Sequence, residues 1–222
     1  MKAILFGASG MVGQGVLREC LASDAVESIL LVGRSPSGVT HPKVRELVKP
    51  DLYDYASVTG ELSGYDACFF CLGVSASGMS EADYHKVTFD LTLAAGRVLR
   101  SQNPAMTFIY VSGEGTDSTE KGRTMWARVK GKTENALLGL GFRGAYMFRP
   151  GLIRPLDGIK SKTAVYRAAY AVLGPLFPVV KALASSHVTT TRNVGQAMIR
   201  VALKGYDKPV LENPDINAAA QG

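Results

Sequence analysis

What this sequence lacks narrows its function first. Only three cysteines, three histidines and one tryptophan occur in 222 residues. Cys20, Cys68 and Cys71 are too few for a disulfide framework, and their odd number suits a reducing compartment. His41, His85 and His187 stand apart, and without an HxxxH or a Cys/His cluster no metal site is expected. No apolar run reaches the roughly 18 residues that a membrane-spanning helix needs. The opening "MKAILFGASG" is too short an apolar stretch for a signal peptide, so a cytoplasmic protein is expected. A GxSxG nucleophile elbow is also missing, since "YVSGEG" lacks the first glycine.

Acidic residues are scarce in the second half. Residues 121–222 carry 16 Lys/Arg against 5 Asp/Glu, whereas residues 1–120 carry 9 against 14. Such an asymmetry attracts an anionic partner: a phosphorylated cofactor, an acidic substrate, nucleic acid or an anionic membrane. Alternatively, it is a plain solvated face. The densest basic stretch, 121–167, has no helix-turn-helix, zinc or base-stacking signature, so nucleic acid is not expected as a partner. Arg123, Arg128, Arg143, Arg149, Arg154, Lys160 and Lys162 instead surround an anionic ligand or lie on a wet rim.

What is present alternates between two periods. "KAILFGA", "SILLVGR", a short run within 44–52, "DACFFCLG", "MTFIYVSG" and "RGAYMFRPG" read as strands. Between them lie helical patterns at 11–22, at 80–102 with Ser80 as N-cap and Asp83 behind it, and at 125–141 ended by Gly139 or Gly141. Further on, "NVGQAMIRVALKG" reads as a helix and "KPVLENPDI" as a closing strand and turn. Strands alternating with helices, several of them apolar throughout, predict a parallel sheet covered on both faces. The "CFFC" pair sits on such a strand, where residues i and i+3 point to opposite faces, so it is read as structural. The uncharged run 168–180 is read first as apolar packing over a pocket. Peripheral contact with a membrane surface and a dimer interface are the other readings.

The strongest motif is "GASGMVG", with Gly7, Gly10 and Gly13 directly after the first strand and at the start of the first helix. Glycines there allow a tight turn and close approach of a pyrophosphate, which then lies on the helix's N-terminal amides. After the second strand, where an acidic residue would face the ribose 2′-hydroxyl of NAD, the chain has Arg34 followed by Ser35. A guanidinium in that place suits a 2′-phosphate, which predicts NADP(H) as the cofactor.

Taken in order, the glycine motif, Arg34, a strand ending at Ser112, the aromatic-xxx-lysine pair Trp126 and Lys130, and "RPG" at 149–151 resemble the short-chain dehydrogenase/reductase superfamily. The likeness is to its atypical and extended branches, which include small NAD(P)H-binding, NAD-dependent epimerase/dehydratase-like proteins. It implies one α/β domain over 1–222, a Rossmann-like doubly wound parallel sheet, with 152–222 forming a small helical cap on the substrate side. It further implies that Gly7, Ser9, Gly10, Met11 and Val12 line the pyrophosphate and adenosine, and that Asp51 and Leu52 contact the adenine. Leu72 and Gly73 would flank the cofactor, Lys130 would bind the nicotinamide ribose, and Pro150 and Ile153 would border the nicotinamide. Ser112 would hold the oxygen of an unidentified small-molecule substrate, and the helices 80–102 and 125–141 would pair in a homodimer.

One departure qualifies the expected chemistry. Where the family has a proton-transferring tyrosine four residues before the lysine, this chain has Trp126. An indole N–H donates a hydrogen bond but is neither acid nor base near neutral pH. Tyr84, Tyr110 and Asp117 are the replacement candidates. An NADP-dependent oxidoreductase and a non-catalytic NADP(H) sensor both stay open.

Overall fold

The computed structural model describes residues 1–159 and 185–222. Its elements in chain order begin with β1 (Lys2–Phe6), α1 (Met11–Ala22), β2 (Ser28–Gly33) and β3 (Val44–Val48). There follow β4 (Ala67–Phe70), α2 (Glu81–His85), a π-helical turn (Lys86–Asp90), α3 (Leu91–Gln102) and β5 (Thr107–Val111). Next come α4 (Met125–Leu138), β6 (Gly144–Arg149), β7 (Leu152–Arg154) and β8 (Val188–Thr190). The chain closes with α5 (Thr191–Lys204), β9 (Val210–Glu212) and α6 (Asn213–Ala219).

Seven strands form one parallel sheet in the order β3-β2-β1-β4-β5-β6-β9. It is a Rossmann-like, doubly wound sheet. Both faces are buried, and alternate residues of β1 show how. Ala3 and Leu5 pack with Val16, Leu17, Val194 and Met198 of α1 and α5. Ile4 and Phe6 pack with Leu91, Ala95, Leu99 and Leu137 of α3 and α4. A period of two on a strand covered twice therefore reads as a continuous apolar run. Cys68 joins the second cluster and Cys71 packs against the first, so the two thiols do diverge. Burial pushes the Cys20 thiol up to about 12 and raises Cys68 and Cys71 as well, which leaves all three as packing residues.

Three local readings need correction. The helix expected over 80–102 begins as predicted, with the Asp83 N–H donating to Ser80 Oγ at 3.1 Å, but it contains the π turn. That turn presents Val87 to a cavity, and the Lys86 carbonyl accepts the Tyr53 hydroxyl at 3.4 Å. The turn expected after the last strand is the helix α6, started by a capping box between Glu212 and Asp215. Lastly, within the span expected as a helical cap, β7 and β8 make a separate two-stranded parallel sheet and β9 joins the main sheet. Residues 160–184 of the expected cap, with the uncharged run 168–180 among them, lie outside the described residues.

Candidate functional site

Chain order reverses at β1, whose neighbours are β2 and β4. In an open α/β sheet the crevice beyond the carboxyl ends of two such strands is where ligands bind. Here the crevice is a cavity of about 670 Å³. Its walls come from the glycine loop (Gly7, Ser9, Gly10, Met11, Val12), from Arg34, from Leu52 and Tyr53, and from Cys71 to Ser75 after β4. Val87, Leu91, Val111, Ser112 and Lys130 complete it. A smaller cavity of about 170 Å³ shares Gly7, Ser9, Arg34 and Leu72 with the first and extends to Ser35, Ser37 and Glu46.

The glycine loop has no room for a side chain at Gly7 or Gly13. Gly7 has φ +81°, and a Cβ there would come within 2.8 Å of the Cys71 and Leu72 backbone. A Cβ on Gly13 would collide with the Gly7 carbonyl. The loop is thus pressed between β4 and α1. Gly10 caps α1 with no side-chain hydrogen bond, and no acidic residue lies in the first turn. The helix's first amides are left to whatever anion enters the crevice.

Arg34 is exposed at the junction of the two cavities and makes no salt bridge or side-chain hydrogen bond among the described residues. Lys130 is half-buried, and its Nζ donates to the Ser112 carbonyl at 2.5 Å. Burial lowers its pKa to about 8, against the opposing attraction of Glu134.

Several expected residues stand elsewhere. Ser112 is in the cavity wall, but its hydroxyl hydrogen goes to the buried Glu134 carboxylate at 2.5 Å, with the Phe148 carbonyl 3.1 Å away. As a holder of substrate oxygen it is therefore corrected, because its one donor is already committed. Asp51 lines neither cavity; its carboxylate accepts the Tyr53 N–H at 2.8 Å and closes its own turn. Pro150 is buried at the end of β6, its carbonyl accepting the Glu114 N–H at 3.0 Å. Ile153 is buried in β7, opposite Thr189. Neither borders the cavity. Trp126 is half-buried on the first turn of α4, against Gly115, and also lies off the cavity wall. Of the candidates to replace the tyrosine, Tyr84 and Tyr110 are buried in the core. Hydrogen bonds from Thr119 and Gly122 hold the Asp117 carboxyl below its usual range.

Sequence reasoning missed several acidic partners. Glu134, buried, binds Arg149 through Nε at 3.1 Å and Nη2 at 2.5 Å, and Arg149 also reaches Glu212 at 3.0 Å. Arg149 is thus a structural cation and not part of a rim around a ligand. Arg128 is engaged too, with Glu81 at 2.7 Å. Glu114 pairs with Nδ1 of His187, which is consequently not isolated.

A family model described as the NAD dependent epimerase/dehydratase family matches residues 3–122. This chain belongs to that family. The match spans the glycine loop, Arg34 and the strands from β1 to β5, so the crevice is the cofactor end of the family's NAD-binding fold. Two relatives matched over most of their length are fungal. The Aspergillus oryzae protein named "Protein fmp52-2, mitochondrial" is 27% identical over 219 residues, 96% of this chain and 94% of that protein. Emericella nidulans "Protein fmp52, mitochondrial" is 28% identical over 214 residues, 93% and 89% of the two chains. These names overturn the expected cytoplasmic location. Among solved structures, the Bordetella bronchiseptica enzyme WbmF in complex with NAD+ superposes with a TM-score of 0.67 at 15% identity, over 99% of this chain and 77% of that one. Uronate dehydrogenase from Agrobacterium tumefaciens gives 0.65 at 17% identity, over 95% and 75%. At such identities the likeness is one of fold.

Proposed function

We propose that this family member binds NADP(H) and works as an oxidoreductase of the short-chain dehydrogenase/reductase kind on a small, partly apolar carbonyl or alcohol. The observation that carries the cofactor reading is Arg34, a guanidinium without a salt bridge or side-chain hydrogen bond among the described residues, where two cavities meet beside an uncapped helix N-terminus. A 2′-phosphate and a pyrophosphate are the anions that those two features fit. The bound nicotinamide would supply or accept a hydride. Lys130, protonated below about pH 8, would hold a ribose hydroxyl from the far wall. Val74, Val87, Leu91 and Val111 give that end an apolar lining, which favours a substrate with hydrocarbon next to its oxygen. By the names of its relatives, a mitochondrial setting is part of this reading.

Trp126 favours a second reading, an NADP(H) sensor without turnover. The indole has no proton to exchange, Ser112 has no free donor, and Tyr84 and Tyr110 lie in the core.

Titration of the purified protein with NADPH and NADH, followed by nicotinamide fluorescence, tests the cofactor reading. Arg34→Ala is expected to weaken NADPH about tenfold or more and NADH little, as a charged hydrogen bond is worth roughly 1.5–3 kcal/mol. Equal losses for both would sink the 2′-phosphate assignment. NADPH consumption across a panel of carbonyl compounds then separates enzyme from sensor.

A further inference from the structure

The smaller cavity contains two ionisable side chains of opposite sign, Arg34 from the end of β2 and Glu46 from β3. No salt bridge joins them among the described residues, so their charges are not spent on each other. Glu46 is held by one oxygen only. Its Oε1 accepts the Ser37 N–H at 2.9 Å and the Ser37 hydroxyl as well. Its Oε2 has no hydrogen-bond partner among the described residues. Register explains the placement: Glu46 pairs with Leu31 on β2, and Gly33 and Arg34 lie just beyond it along that strand. The carboxylate is thus fixed at the edge of the cavity that Arg34 also lines, with one acceptor oxygen left over.

A carboxylate beside a ribose has a definite preference. It accepts hydrogen bonds from a free 2′,3′-diol, and it repels a 2′-phosphate, whose charge has the same sign. An NAD-type site has such an acid at the end of its second strand, the position that Arg34 occupies here. In this chain the acid arrives from the neighbouring strand instead. We propose that Glu46 is a second determinant of cofactor selectivity, opposed to Arg34, so that the pocket accepts NADH alongside NADPH and does not reject it. The inference rests on the reading that these cavities hold a nicotinamide dinucleotide, with the adenosine ribose at the smaller one.

Neutralising Glu46 therefore separates the two cofactors. In Glu46→Gln the NADPH affinity is expected to rise about three- to fivefold, the size of an exposed charge pair, while NADH affinity stays level or falls. The gain should shrink at high salt, because an exposed charge is screened within roughly 10 Å at 0.1 M. Fluorescence titrations with NADPH and NADH at low and high salt read the ratio directly, and 2′,5′-ADP reads the phosphate end alone.

A purely structural role for Glu46, tethering the loop after β2, predicts otherwise. Glu46→Asp shortens the tether to Ser37 and keeps the charge in place. If Glu46 acts by its charge, that conservative variant returns the ratio to within about twofold of wild type. A ratio shifted as far by Glu46→Asp as by Glu46→Gln overturns the proposal, and so does an unchanged ratio in a well-folded Glu46→Gln. Should that variant aggregate, Glu46→Thr, neutral and suited to a strand, gives the same test. Failure of the wild type to bind either dinucleotide would overturn the function reading itself, whereas an unmoved ratio with intact binding overturns only this inference.

Discussion

The glycine loop and the end of β5 stand at the carboxyl edge of one sheet, yet they are built by opposite means. The loop achieves contact by having no side chain at two positions: Gly7 meets the backbone after β4, and Gly13 lets α1 close on Gly7. The Gly10 N–H donates to the Gly7 carbonyl at 2.9 Å, but no side chain caps the amides that open α1. The end of β5 is filled with the protein's own polar side chains, Ser112 on Glu134, Glu134 on Arg149, Arg149 on Glu212. Those groups are satisfied within the fold, and Arg149 keeps a raised pKa because Glu134 and Glu212 outweigh the burial that disfavours its charge. The contrast teaches where a ligand can gain hydrogen bonds. The loop leaves donors for a guest, whereas the β5 end has already used its own on itself.

The comparison breaks most sharply at Gly13. Gly13→Ala drives a methyl into the Gly7 carbonyl, so the loop and α1 must separate. Overpacking against backbone costs about 1–3 kcal/mol or more, and the phosphate cradle moves with it. Dinucleotide affinity is expected to fall about a hundredfold, a loss of roughly 2.7 kcal/mol, while the protein still folds with a lower Tm. Near-normal binding in that variant would mean that the crevice does not depend on the loop's close packing.

The second region should fail in the other currency, stability without binding. Glu134→Gln leaves Arg149 with Glu212 as its remaining carboxylate. Breaking a buried pair costs about 3–5 kcal/mol, and the surviving partner cuts that to about 2–3. At 2–4 °C per kcal/mol for a chain of this size, thermal unfolding should shift down by about 5–10 °C. Dinucleotide affinity should stay within about threefold. A variant with unchanged Tm but lost binding would reverse the assignment of the two regions.

The same contrast explains what could be read from sequence. The loop is a local feature, three glycines at fixed spacing after an apolar run, and its place in the fold follows from neighbours in the chain. The strands and the Ser80 cap were legible for the same reason, and α6 could have been, since "ENPDI" holds a capping box with a proline in the first turn. Ser112 was misread because its partner Glu134 is on another element, brought over by the packing of α4 on β5 and β6. Glu46 and the pair of Glu114 with His187 are likewise long-range products of register and crossover. No spacing rule points to them. The π turn was invisible because Val87 within it and Leu91 just after it keep helical spacing while the hydrogen bonds change.

Lys130 belongs to both regions, since it lines the crevice and is attracted by Glu134. Its folded pKa of about 8 lies below the roughly 10.4 of an exposed lysine. Between those values the folded chain has released the proton and the unfolded chain still holds it, so stability contributed by this group rises with pH. Below pH 8 both states are protonated, and the contribution is flat at its least favourable. The stability difference between wild type and Lys130→Met, from denaturant unfolding at several pH values, should therefore grow in favour of wild type from about pH 8 to 10. Because the side chain is partly exposed, solvent screening keeps the change to about 1 kcal/mol, the smallest of these effects. A small amine-reactive reagent gives an independent reading: Lys130 should be labelled ahead of the surface lysines near pH 8, and NADPH should protect it. A flat stability difference together with ordinary labelling would show that the ammonium is solvated, and Lys130 would then belong to the open crevice alone and not to the charged network beneath it.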